Sequence, residues 1–154
     1  MKRRTTIILF ILAIVVAVAL IVYQKVQEKR ADAVRQKPDV ATTVTDLLAA
    51  FEKDTANAAK TYVDKIVELK GLVKSVDTTG AVIMGEEGNP SEVVVGFDNR
   101  HTDDLKKIRA GTIIMLQGVC SGYEMSSADP DDLLSGLGTT IHLRSAGLKE
   151  KSND

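Results

Sequence analysis

The chain has 154 residues, 20 of them Lys or Arg and 21 Asp or Glu, with a single cysteine and only 4% aromatic side chains. One cysteine excludes an intrachain disulfide, and a formal charge of −1 gives no basic surplus of the kind that a nucleic-acid surface needs. From residue 37 onward 13 basic side chains stand against 19 acidic ones, so an acidic domain of formal charge −6 lies behind the near-neutral total; its roughly 115 residues suffice for one core.

Lys2, Arg3 and Arg4 precede sixteen consecutive apolar residues, Ile7 to Val22. With Thr5, Thr6 and Tyr23 this stretch spans about 28 Å as a helix, close to the thickness of a bilayer's hydrocarbon core. Residues 1–23 are expected to form a signal anchor, with residues 5–23 in the lipid bilayer. Ala17-Val18-Ala19 also fits a signal-peptidase site, but a cut after Ala19 would leave Leu20, Ile21 and Val22 as an apolar end. The basic tail favours an N-inside transmembrane helix in a bacterial cytoplasmic membrane, with the rest of the chain extracytoplasmic. A plain count of Lys25, Lys29, Arg30, Arg35 and Lys37 beyond the run leans the other way.

Residues 24–42 read as a helical stalk and linker: Gln24 to Lys37 is polar almost all round, and Pro38 ends it. Thr45 is placed to cap an amphipathic helix with Leu47, Leu48 and Phe51 on its apolar face, and Ala56, Ala58, Ala59 and Tyr62 continue the helical character. From Lys65 the period becomes two, with Val67, Leu69, Gly71 and Val73 on one face of a first strand. Asp77-Thr78-Thr79-Gly80 predicts a turn, and Ala81 to Met84 a second strand hairpinned to the first. Glu92 to Phe97 is a third strand. Asp98 to Ala110 reads as a polar connector with one short helix, capped by Thr102 and turning Leu105 and Ile108 inward, with Gly111 ending it. Thr112 to Cys120 is a fourth, very apolar strand. A long loop from Gly122 to Gly138 precedes a fifth strand, Thr139 to Arg144, and residues 149–154 form a loose tail.

Gly71 and Gly118 both fall inside strands, which fits the bulges and bends of a small closed barrel. The reading for residues 43–148 is therefore mainly β. It is a five-stranded OB-fold barrel with an N-terminal amphipathic helix and a short helix between strands 3 and 4, all behind the transmembrane helix.

Residues 43 to 145 resemble the bacterial tRNA_anti-like family of OB-fold domains, commonly found behind signal peptides or lipoprotein signals. Leu47-Leu48, Phe51, Asn57, Ala59, Tyr62, Lys65, Gly71, Val73, Gly111, Gly118, Cys120 and Gly122 carry the resemblance. Members often have a second cysteine near the end of the last strand, where this chain has Arg144-Ser145, so a disulfide that the resemblance implies is absent. The family's name implies nucleic-acid binding by analogy of fold, and a fold does not carry its function with it.

A barrel of this kind that binds single strands needs a basic groove with aromatic platforms. Phe97, Tyr123, Arg100, Lys106, Lys107 and Arg109 are the candidate ligand-binding residues, offset by Asp98, Asp103 and Asp104. Counterion release on a domain of charge −6 is weak, which disfavours nucleic acid and makes the basic cluster more simply a solvated face. Asp129-Pro130-Asp131-Asp132 with Glu124 lacks the spacing of a calcium loop and is more simply a turn and helix cap. Neither His101 nor His142 has a sequence partner for a triad, and no phosphate loop or metalloprotease motif occurs. These residues point to no catalytic residue, metal or cofactor. They point to a non-catalytic binding module of the cell envelope whose partner is a protein or small ligand. The alternative is a single-strand or tRNA-type binder on the cytoplasmic side, and a structural spacer in an envelope complex is a third possibility.

Overall fold

The structure, a computed structural model, describes residues 32–125 and 138–149 together with the helical positions Ile14 and Val16. The rest of the expected anchor, most of the stalk, the Asp129 to Asp132 segment and the tail from residue 150 lie outside the described residues. Among those described, no helix is long and apolar enough to cross a membrane. The chain divides after Asp32 into two units, and the second carries every described strand.

Alternating aliphatic residues build six strands: β1 (Val40–Thr43), β2 (Ile66–Val76), β3 (Ala81–Met84), β4 (Glu92–Phe97), β5 (Ile113–Met125) and β6 (Thr139–Leu148). Their order is β1-β2-β3-β4-β6-β5, and β2 also pairs with β5, so five strands close a barrel and β1 is added to it. The barrel pairs are antiparallel except β4 with β6, and β1 runs parallel to β2. Without β1, this is the five-stranded OB-fold order anticipated from the sequence. Inward positions make a continuous core: Val67, Leu69 and Val73 of β2, Val82 and Met84 of β3, Val93 and Val95 of β4, Leu116 and Cys120 of β5, Ile141 and Leu143 of β6. Pairing shifts at Gln117/Val119, across Gly118, and again at Cys120/Gly122, so the glycine-bearing strand does bulge.

The opening helical region is two helices, α1 (Val44–Lys53) and α2 (Thr55–Tyr62). Thr43 caps α1, correcting the expectation for Thr45: the Thr43 hydroxyl accepts from the Asp46 N–H at 3.1 Å and donates to its carboxylate at 2.7 Å. Thr45 instead donates to Glu86 Oε1 at 2.8 Å. Asp54 breaks the run because its carboxylate accepts from the Asn57 N–H at 3.0 Å, capping α2. Leu47, Leu48 and Phe51 of α1 are buried in the barrel core, as their spacing requires. Glu52 ties α1 down a second time by accepting from the buried Ser91 hydroxyl at 2.8 Å, and that oxygen accepts in turn from the Thr139 N–H at 3.0 Å.

The connector between β4 and β5 is a 3-10 segment, Asn99–Lys107, capped by Asp98 in place of Thr102, whose hydroxyl donates backward to Asn99 O at 2.6 Å. Ile108 is buried and Leu105 packs against the core.

Residues 33–43, expected as the end of a stalk and a linker, fold onto the barrel. A 3-10 turn at Ala33–Arg35 lies on β5 and β6. Gln117 points outward from β5, yet it is fully buried beneath this strap. Its Nε2 donates to Ala33 O at 2.6 Å and to Gln36 O at 2.7 Å, and its Oε1 accepts from Lys149 Nζ at 2.5 Å. Asp39 then joins Ile66 through two hydrogen bonds of 2.8 Å before β1 begins. Gly147 makes room for the strap, since a Cβ there would sit 2.7 Å from the His101 ring and 2.9 Å from Val34.

Candidate ligand-binding face

The register of the sheet sets four strands side by side on the outside of the barrel. Ile83 lies opposite Val94, Val94 is the partner of His142, and His142 faces Gly122. Each of the first three is half-buried and alternates with fully buried neighbours, so the row forms a largely aliphatic floor. Ala81 opposite Gly96 continues it on one side, and Glu92, Thr140 and Glu124 form the next row on the other. Gly96 and Gly122 leave the floor open to a close approach.

The polar groups around this face are few. Lys74 Nζ lies 3.7 Å from Glu92 and donates to Asn89 O at 3.0 Å. Arg144, 62% exposed, is 3.9 Å from Asp64. The His142 side chain is 37% exposed and its Nε2 lies 3.6 Å from Glu124, but that nitrogen itself is shielded from solvent and has no hydrogen-bond partner. The Ser121 hydroxyl donates to the backbone carbonyl of His142, not to the ring.

The candidate residues from the sequence do not assemble on this face. Phe97 packs partly buried against the core at the end of β4. Tyr123 packs against Phe51 of α1 with ring centroids 4.9 Å apart and the rings inclined at 48°. The partners of Phe97 and Tyr123 on β6 are Ala146 and Ile141, five residues apart, which is about 16 Å of strand.

The four basic residues do cluster on the connector, each held by a local acceptor. Arg100 grips Asp98 through two hydrogen bonds of 2.8 Å, which hold that carboxyl well below the usual carboxylate range. Lys106 donates to Asp103 at 2.7 Å, lowering the carboxyl and raising the ammonium from their ordinary values. Lys107 donates to Asp104 at 3.1 Å, and Arg109 to the carbonyls of Lys106 and Ile108. The acids three residues upstream of each lysine were the sequence signal for this pairing.

Cys120 is fully buried inside the barrel, and burial pushes its thiol up from its ordinary value. Among the described residues, no group of three or more His, Cys, Asp or Glu side chains is placed to hold a metal ion.

A closed five-stranded barrel with this order, mixed pairing and inward core defines an OB-fold domain, a class related to nucleic-acid-binding folds. The tRNA_anti-like family model matches residues 1–128, and the chain belongs to that family. None of the curated proteins compared with the chain matches it. Among solved structures it is similar to a lipoprotein of Klebsiella pneumoniae subsp. pneumoniae provisionally described as nucleic acid-binding. That likeness has 15% identity and a TM-score of 0.50, covering 71% of this chain and 92% of that one, and it is one of fold. An aspartyl-tRNA synthetase of Leishmania major, itself provisionally assigned, gives 11% identity and a TM-score of 0.41 over 70% of this chain and 20% of that one. The aspartyl-tRNA synthetase of Entamoeba histolytica gives 15% and 0.37, over 70% and 21%. The chain thus spans about a fifth of either synthetase.

Proposed function

We propose that this protein is a membrane-anchored, non-catalytic binding module of the cell envelope that takes an apolar side chain of a protein partner on the outer face of β3, β4 and β6. The observation that carries this reading is the row Ile83, Val94 and His142. It offers two aliphatic side chains and a single imidazole at the place where a single-strand binder would need several stacked aromatic rings and cations. The basic cluster on the connector does not lie on this face, and its Arg100, Lys106 and Arg109 are held by acids and carbonyls. The domain's charge of −6 adds to the cost of bringing up a polyanion.

Two measurements on the full chain test the reading. Titration with an oligodeoxythymidine at low and physiological salt is expected to show no salt-sensitive binding. A photo-crosslinking residue at position 83, read in native membranes, is expected to give a discrete protein adduct that Val94→Arg abolishes. Saturable, salt-sensitive oligonucleotide binding that Val94→Glu weakens would reverse the reading in favour of the nucleic-acid alternative.

A further inference from the structure

A second groove, of about 680 Å³, lies on the opposite wall of the barrel from β3 and β4, between the strap, the connector and the ends of β5 and β6. That volume falls within the usual range for a small-ligand site. Its floor is aliphatic, made by Val34, Ile114, Met115 and Leu148. Arg35, Lys107 and Lys149 stand around it with His101, and the acids beside them are Asp104, at Lys107 and His101, and Glu68, 3.7 Å from Lys149. From residue 37 onward acids outnumber bases 19 to 13, whereas here three cations, one of them Arg35, gather over an apolar floor. The occupant that matches both halves is an anionic amphiphile, with its acidic group at the rim and its alkyl part along the floor. A nucleotide matches the rim alone, since no aromatic platform other than the His101 ring is at hand.

We propose that this groove binds an anionic phospholipid, the phosphate taken by Lys107 and Arg35 and the upper acyl chain lying against Met115 and Leu148. An ammonium has three N–H donors. The contacts with Asp104 at Lys107, and with Gln117 and Glu68 at Lys149, leave each lysine able to donate once more. Gln117 holds the strap and Lys149 together, so the two ends of the groove are positioned before any ligand arrives. The choice of a phospholipid over other anionic amphiphiles rests on reading Ile7 to Val22 as a membrane anchor, because the chain is then tethered to a lipid surface.

The test titrates the full chain in a neutral maltoside detergent with dioctanoyl phosphatidylglycerol, following the methyl resonances of Met115 and Leu148. Saturable shifts are expected, with affinity at least about tenfold above that for dioctanoyl phosphatidylcholine. Lys107→Gln, at a side chain 62% exposed and so safe for folding, is expected to weaken phosphatidylglycerol about fivefold, while Lys106→Gln, 80% exposed on the same segment, leaves it unchanged. Equal affinity for the two lipids, or equal loss from both lysine variants, would overturn the site. Octanoate binding as tightly as phosphatidylglycerol would overturn the phospholipid assignment and leave a fatty acid as the ligand. Because the probe is soluble, the titration stands apart from the anchor reading, which a compartment assay decides, and from the crosslinking at position 83.

Discussion

An added methyl at Gly71 would overlap the side chain of Val44, which fills the wall of the barrel where β2 passes from pairing with β1 to pairing with β3. Gly71→Ala is therefore expected to cost about 1–3 kcal/mol of stability, as overpacking does. Val44→Ala in the same chain should recover most of that loss, a coupling that a double-mutant cycle in urea would register and that independent sites would not show. Cys120 makes a second residue-level test. Its thiol is enclosed and its ionisation suppressed by burial, so reaction with a disulfide reagent should be limited by unfolding of the barrel. Rapid labelling under native conditions would contradict the closed core. Asp98 supplies the third. Its carboxyl is lowered by Arg100, so its contribution to stability is complete above the ordinary carboxylate value of about 3.9 and is lost as the pH falls below it. Asp98→Asn should flatten the fall in unfolding free energy below pH 4; a slope equal to that of the wild type would remove Asp98 as its source.

At the scale of elements the strap is the part most exposed to test. Gln117→Leu leaves the carbonyls of Ala33 and Gln36 and the ammonium of Lys149 without their shared partner, and a loss of about 2–4 kcal/mol is expected in chemical denaturation. An unchanged midpoint would mean that the strap is not held. The barrel strands were legible because their signal is local: Val67, Leu69 and Val73, or Val93 and Val95, alternate in the sequence as they do in the core. The strap and β1 were not legible. Four residues, VATT, have no period of their own and become a strand only through parallel pairing with Val67 to Lys70, some 27 positions away. The break at Asp54 was hidden because alanines on both sides favour helix, and the carboxylate that caps α2 looks like any surface acid. β6 runs to Leu148, past the expected end at Arg144, because Ser145 takes a φ of 52° and lets the strand bend on. Of the candidate site, the charge cluster on the connector was visible in the sequence, but the pairing of Arg100, Lys106 and Lys107 with Asp98, Asp103 and Asp104 needed geometry. The row Ile83, Val94 and His142 exists only through the registers of two strand pairs, which no local pattern specifies.

For the molecule as a whole the proposed envelope reading turns on the compartment in which the barrel is found. Reporters fused at the C-terminus, one active only outside the cytoplasm and one only inside, are expected to report outside; activity inside would undo the envelope reading and return single-stranded nucleic acid to first place. The strap gives that fusion an unforeseen virtue. By donating to Ala33 O and accepting from Lys149, Gln117 brings the beginning and the end of the folded unit within one side chain of each other. The barrel is in this sense a loop pinched shut at its neck. A reporter fused after Lys149 follows a residue held at the strap, away from Ile83 and Val94, so crosslinking at position 83 can be read in the same cells. A circular permutant, with the old ends joined by a few residues and new ends cut between Asp77 and Gly80, should keep the same barrel.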